Sequence, residues 1–527
     1  MTVIIPAWSR DATALNDTPV VKLAQLFMDN QVATQLLLLQ PLPWLRYQLQ
    51  ANHLTQLPWW NVFDALQGVT RATGLPLGLE DLDLPADTQF AYLAHTVLLY
   101  RHDRIYGEVH FHPAGFVSEV DLTTTTGQQI VKVYDDRGFC STQTTYDAHH
   151  HRLEKLWFSP TRQPKMRQVN DTTIQVLGPD GQPTRTVASL ETLITTTVQQ
   201  HLAQRHDLLI ADANPATATI LTQLAHQHRV AYLLSTQRAP TLPDDLLRAV
   251  ERVIVPTKQM VTKFSLVNAD VGTPIDVISP YATTLSLGHS TELPATTLVW
   301  TVNHLTTTAQ QTVASQLVAW LTQAETNQLA IITTSQRSQH ALEQDLRARL
   351  LAHAQVDLES PQAQIIDLLW TQIQRGQGVR LTDCPQAIQD VLTQRQRVTL
   401  QVHLTDNARE QLLGQARLLI DLGPMPDLQL QIAAISAGIP QINATATGYV
   451  TDHQNGLIIQ HPRDLTQSLD FYLKTLVNWN QSLVSSITAL ENLAEPKLLA
   501  YWREVIDYGE HTDASRPTGR PAGHPAR

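Results

Sequence analysis

From Phe90 to about Val176 the chain changes period, and that change limits the folds open to it. Before it, Thr2 to Ile5 reads as a short buried strand, and Asp17-Thr18-Pro19 as the start of a helix running to about Asn30. Gln35 to Leu39 suits a buried parallel strand, and Pro58 to Gln67 reads as a helix. Within the changed stretch the segments are short and alternating, broken at Pro113-Ala114-Gly115, Thr126-Gly127, Arg137-Gly138 and Gly178-Pro179-Asp180-Gly181. Val109, Phe111, Val117, Val120, Val131 and Val133 fit half-buried strands, giving an antiparallel meander of roughly six or seven strands. From about Ala188 strands and helices alternate again (207–212, 215–227, 230–234, 243–250), and a second such set starts at Thr297. Strands and helices at this spacing build parallel sheets covered on both faces.

The predicted architecture is therefore α/β, with two Rossmann-type parallel-sheet domains and an antiparallel meander inserted in the first. Residues 1–89 and 188–290 form the N-terminal domain, 90–187 the insertion, and 296–508 the C-terminal domain with closing helices; 509–527 is a disordered tail. The insertion is expected to be separable, leaving both α/β domains folded without it. A chain of 527 residues can bury two or three cores. Its net charge of −11 excludes a nucleic-acid partner, which needs a cationic face. Two cysteines, Cys140 and Cys384, make no disulfide framework and no metal site, and read as buried thiols. The N-terminus has no basic leader followed by a long apolar segment, and the most apolar run, Gln35 to Leu45, is too short for the about 20 residues of a membrane span. A cytoplasmic protein with no transmembrane segment is expected, peripheral at a membrane only through a partner.

Chemistry enters with Asp427 to Gly456. A helix with Leu428, Ile432 and Ile435 on one face ends at Gly438, followed by Pro440, a strand around Ile442 and an Asn-Gly loop. This order resembles the donor half of two-domain glycosyltransferases of the GT-B class, which commonly carry two glutamates ahead of the Gly-x-Pro turn. Aligned on Gly438 and Pro440, those acids fall at Met425 and Ala433, which cannot accept a hydrogen bond from a ribose or sugar hydroxyl. The strand from Thr297 runs into Trp300-Thr301-Val302-Asn303-His304 without an Arg or Lys, and Pro6-Ala7-Trp8-Ser9 is no glycine-rich phosphate loop. The scaffold without its donor chemistry argues against an enzyme.

A closer resemblance follows from Tyr134-Asp135-Asp136-Arg137-Gly138-Phe139-Cys140-Ser141, with Ile5-Pro6-Ala7-Trp8, Phe63 to Gly68 and Ile439 to Ile442. Together these resemble the first of the accessory secretory proteins of Gram-positive accessory Sec systems, over residues 2 to about 508. The resemblance implies a GT-B-like fold without transferase chemistry, no cofactor, and a cytoplasmic complex with two companion accessory secretory proteins. It also implies action with the accessory SecA motor on a glycosylated serine-rich repeat adhesin. The alternatives are an active GT-B transferase using a nucleotide-sugar donor, and a stabiliser of a partner acetyltransferase with no glycan affinity.

If the interdomain cleft binds carbohydrate, His304, Gly448 and Tyr449 are the candidates. Asp135, Asp136 and Arg137 have two readings, a local ion pair around a Gly138 turn and a partner or acceptor surface. Trp59-Trp60, with Trp44 and Tyr47, read as core more readily than as sugar platforms. His110 and His112 read as a polar strand face, and His149 to His151 as a solvated loop; no metal is expected.

Overall fold

The computed structural model describes residues 1–10, 15, 18–169, 173–234, 240–268, 270–302, 304–402 and 404–513. Seven parallel strands form the N-terminal sheet, in the order Ile275–Val277, Arg252–Val255, Arg229–Leu233, Leu208–Asp212, Thr2–Ile5, Thr34–Leu38, Trp59–Asn61. The order reverses at Thr2–Ile5, which pairs Val3 with Leu209 on one side and with Gln35 on the other. Alternate residues of a strand face opposite ways, so each strand feeds two cores. Ile4, Leu36, Ile210 and Ile254 pack under the helix Pro19–Asp29, and Leu499, Trp502 and Val505 of the last helix join them. That helix, Glu495–Asp513, thus returns from the C-terminal domain to close the N-terminal one. Trp502 meets Phe27 edge-on at 5.7 Å, and the Arg229 guanidinium donates to the carbonyls of Val505 and Ile506.

The C-terminal sheet has six parallel strands, ordered Val398–Val402, Asn327–Thr333, Thr296–Thr301, Ala416–Asp421, Gln441–Asn443, Gly456–Ile458. Its strand order also reverses at the first strand of the domain. In open α/β sheets such reversals leave a crevice at the carboxyl ends of the strands, and the two crevices open toward the junction between the domains.

Between Gln89 and Val187 lies an antiparallel sheet of ten strands, each paired with its sequence neighbours. The count exceeds the expected six or seven because the outer strands alternate weakly: Pro183–Val187 exposes all but its last residue. The insertion is not a detachable module. Trp157, Met166 and Ile174 belong to the same core cluster as Val3, Leu209, Val62 and the helix residues Leu193 and Val198. Removing residues 90–176 would strip that core from the N-terminal domain, contrary to the expectation of an independent insertion.

Two local differences have clear causes. Pro58 to Gln67 is a strand and then a helix, because the Asn61 side chain accepts from the amides of Phe63 and Asp64 at 2.7 and 3.3 Å and starts the helix there. The last helix runs to Asp513, so 509–513 continue it; the rest of the expected disordered tail, 514–527, lies outside the described residues. Among the described residues, no helix is long and apolar enough to cross a membrane.

Candidate functional site

The Asp135-Asp136-Arg137-Gly138 turn is the joint between the insertion and the N-terminal domain. Arg137 donates from Nε and Nη2 to both oxygens of Asp135 at 2.7 and 2.8 Å, and from Nη1 and Nη2 to both oxygens of Asp64 at 2.8 and 2.7 Å. Asp136 takes the Nε of Arg46 at 2.7 Å and its backbone amide at 2.9 Å. Gly138 has φ +83°, and a side chain there would lie 2.3 Å from the Leu75 carbonyl; one at Gly74 would lie 2.3 Å from the Arg137 carbonyl. The segment around Gly74 and Leu75 is therefore clamped across the turn by two glycines that leave it room. Asp135, Asp136 and Arg137 are 3%, 3% and 4% exposed. They form an internal strut and present no partner or acceptor surface, which corrects that expectation. Burial pushes the Asp135 carboxyl up to about 6, against the pull of Arg137.

His112 also departs from its expected polar strand face. It is buried, stacked on Phe116 at 4.6 Å and edge-on to Tyr47 and Trp44, and burial lowers its pKa. Trp60 stacks on His201 at 4.1 Å against the N-terminal core, as a core residue should. His149 and His151 sit on an exposed turn organised by Asp147. Cys140 and Cys384 are half-buried and unbonded to each other.

Described residues of the two domains line two cavities in the cleft between them. The larger, about 560 Å³, brings together Gly448 and Tyr449 from the C-terminal domain, Pro256 to Lys258 and Ser279 from the N-terminal side, Ser485, Thr488 and Tyr501 from the closing helices, and Asn492 from the turn between those helices. Among the described residues that line it, Lys258 is the one charged residue; the others are hydroxyl, amide, aromatic and aliphatic. The phenol of Tyr449 donates to the Pro256 carbonyl, tying the loop after Gln441–Asn443 to the opposite domain. Asn455 holds the same loop from below, donating to the Tyr449 carbonyl at 3.0 Å and accepting from the Thr451 amide at 2.7 Å. Burial pushes the Tyr449 phenol up to about 12, so it stays a donor through the physiological range. Tyr449→Phe removes one cross-domain hydrogen bond, a loss of about 1 kcal/mol. It should show as faster amide exchange across residues 447–455 with the rest of the chain unchanged. His304 does not join this lining; it is exposed, at φ +54°, in the loop after Thr296–Thr301.

The smaller cavity, about 400 Å³, lies between the helix Pro19–Asp29, the linker from Ile278 to Ser286 and the helix Leu428–Ser436. Ala433 lines it, where the second donor acid would stand. Asp29, Asp406, Glu410 and Glu495 outnumber Lys22 and Arg409 in its wall, so the cavity repels anions. Lys22 bridges the domains to Asp406 at 2.8 Å.

Met425, the other position, lies half-buried in the loop between Ala416–Asp421 and Leu428–Ser436. The start of that helix is already occupied by carboxylates. Asp427 accepts from the Leu430 amide at 3.0 Å, and Asp421 accepts from the Asp427 amide at 2.8 Å and from Gln431 at 2.8 Å. A helix N-terminus that could stabilise a phosphate is here neutralised by two acids. Asp421 is fully buried; burial first, then the charge of Asp427, pushes its carboxyl up to about 7. Its register neighbours at the ends of adjacent strands are Thr301 and Asn443. Each of the three keeps a buried oxygen without a hydrogen-bond partner among the described residues: Asp421 Oδ1, Thr301 Oγ1 and Asn443 Oδ1. Gln431 continues the network by accepting from Thr447 at 3.1 Å, so it reaches the Gly448–Tyr449 loop. Sequence reasoning missed Asp421, which stands four residues before Met425, although an aspartate closing an apolar strand run was visible.

The model of the accessory Sec system protein family, accessory secretory protein 1, matches residues 3–508. A member from Streptococcus gordonii is 24% identical, the alignment covering 96% of each chain. Among solved structures, that of accessory secretory proteins 1, 2 and 3 from Streptococcus pneumoniae matches with a TM-score of 0.72 at 18% identity, over 97% of this chain and 100% of that one. The pneumococcal O-GlcNAc transferase GtfA, in complex with UDP and GlcNAc, matches at 0.68 and 10% identity over 97% and 99%. The fold is thus that of GT-B glycosyltransferases.

Proposed function

Because the chain belongs to the accessory secretory protein 1 family of accessory Sec systems, we propose that it is a non-catalytic, glycosyltransferase-like subunit whose interdomain cleft recognises glycan on the exported cargo. The cargo is a glycosylated serine-rich repeat adhesin. The two companion accessory secretory proteins and the accessory SecA motor are its partners, on the cytoplasmic side of the membrane. The observation that carries the reading is the chemistry of the larger cavity. Hydroxyls, amides and two tyrosines around a single lysine suit an uncharged saccharide, which is bound by hydrogen bonds and by stacking on flat rings. A nucleoside diphosphate needs cations or free helix amides instead. Those amides face Asp421 and Asp427, and the cavity at Ala433 is rich in acids.

The competing reading, an active transferase, rests on the likeness to GtfA in fold. Calorimetric titration separates the two. Uridine diphosphate sugars should give no heat, whereas glycosylated adhesin repeats should bind and unglycosylated repeats should not. Tyr501→Ala and Asn492→Ala should each weaken the glycan term roughly tenfold by removing a ring or an amide from the cavity. Micromolar binding of the nucleotide sugar, or equal heat from bare and glycosylated repeats, would end this reading.

A further inference from the structure

The smaller cavity of the cleft, about 400 Å³, holds negative charge that its own walls do not balance. Three carboxylates reach it from three elements. Asp29 closes the helix Pro19–Asp29, Glu410 stands on the helix Asp406–Gln415, and Glu495 opens the helix Glu495–Asp513. Asp406 is paired with Lys22 and Arg409, whereas Asp29, Glu410 and Glu495 have no ion-pair partner among the described residues. Glu410 accepts from the Ser286 hydroxyl at 2.9 Å and Glu495 from the Asn30 amide at 2.5 Å, both neutral donors. The same cavity is lined by the buried apolar side chains Leu23, Ile432, Leu498 and Trp502. Carboxylates beside apolar surface suit an arginine, which lays its stem on the surface and directs its N–H groups at the acids.

The chain carries such arginines within reach. Residues 514–527, ASRPTGRPAGHPAR, hold Arg516, Arg520 and Arg527 and no acid, in a chain of net charge −11. A basic residue precedes proline at every fourth position: Arg516-Pro517, Arg520-Pro521 and His524-Pro525. Prolines remove backbone donors that would lose water on docking, and they limit the entropy lost. The segment follows Glu495–Asp513, the helix whose own Glu495, Leu498 and Trp502 line the cavity. From Asp513 that helix leads back about 16 Å to Trp502 and about 27 Å to Glu495. Fully extended, seven residues span about 23–25 Å and fourteen about 46–50 Å. Arg520 can therefore return as far as Trp502, and Arg527 as far as Glu495.

We propose that residues 514–527 dock into this acidic cavity of their own chain, with their arginines on Asp29, Glu410 and Glu495. The cavity walls come from both domains and from the linker Ile278 to Ser286, so a docked segment holds the two domains in one relative position. Charge and reach select this occupant together. A short tether gives an effective concentration on the order of 1 mM, so a segment that binds at about 100 µM when free would be docked roughly nine-tenths of the time. The same segment of a second copy has no such advantage below millimolar protein.

The test is calorimetric titration with the free peptide ASRPTGRPAGHPAR, into the full chain and into a chain ending at Asp513. The shortened chain should bind the peptide, and the full chain about tenfold more weakly, because its own segment competes. Glu410→Gln/Glu495→Gln in the shortened chain should weaken binding at least tenfold. Glu359→Gln, an exposed acid outside the cavity, should leave it unchanged. The glutamines keep the size of the side chains they replace at positions that are not fully buried, so these variants keep the fold. No binding to the shortened chain, or binding indifferent to the double variant, would overturn the proposal. Equal binding to both chains would also overturn it, and would leave the cavity to a basic segment of another protein. So would a full chain that sediments as a dimer and becomes monomeric when it ends at Asp513, which would place the segment in a second copy.

Discussion

Arg137→Ala should cost the fold about 3–5 kcal/mol, the range for breaking a buried ion pair from one side. The substitution leaves Asp64 and Asp135 facing each other with no cation between them, and Asp135 has almost no access to water. Arg137→Lys should recover little. One ammonium cannot place two parallel N–H groups on each of two carboxylates, as the guanidinium does here. Asp64→Asn should be milder, because Asp64 is the more exposed partner and Asp135 still balances the arginine. Because Trp157, Met166 and Ile174 share a core with Val62 and Leu193, loosening the strut should be felt on both sides of the joint. Urea unfolding followed by tryptophan fluorescence reads this directly. A shift below about 1 kcal/mol for Arg137→Ala would mean the strut is not what fixes the insertion.

That strut marks where sequence reading stops. The two parallel-sheet domains were legible because strands such as Leu208–Asp212 and Thr296–Thr301 are continuous apolar runs set between amphipathic helices. The buried state of Asp135 to Arg137 was not, since charged residues read as exposed unless their partners are known. Here the partners, Asp64 and Arg46, lie 73 and 90 residues away. The same holds for His112, whose neighbours Trp44 and Tyr47 come from the other domain. Trp59–Asn61 failed for a local reason: an apolar pair before a helix continues its period, and only the Asn61 cap separates strand from helix. At the cleft, Gly448 and Tyr449 were found by their place after the Gly-Ile-Pro turn. His304, at the end of the strand from Thr297, is exposed and does not line the larger cavity. The acids at the helix start, Asp421 and Asp427, act through backbone amides, and a sequence does not show where amides point.

Asp421 should make the stability of this protein fall as pH rises toward 8. In the unfolded chain its carboxyl titrates at its ordinary value of 3.8; in the fold it sits at about 7. Between those values the folded chain holds a proton that the unfolded chain has released. The contribution of the neutral form is therefore whole below pH 3.8 and is lost as pH rises through 7. A shift of this size corresponds to roughly 4 kcal/mol over the window. Asp135, raised to about 6, adds to the lower part of the same slope. Asp421→Asn fixes the neutral state. Its carbonyl oxygen can still accept from the Asp427 amide and Gln431. In urea titrations at pH 5.5 and pH 8 the parent should lose about 2 kcal/mol more than the variant on going up, so that the variant is the more stable protein at pH 8. Equal slopes in the two proteins would remove Asp421 as the cause. Because Gln431 links Asp421 to Thr447, ionisation should also loosen the Gly448–Tyr449 loop, and amide exchange at residues 447–455 should quicken over the same pH range in the parent alone. The cleft proposed to read glycan would then be held in shape by a carboxyl that must stay neutral.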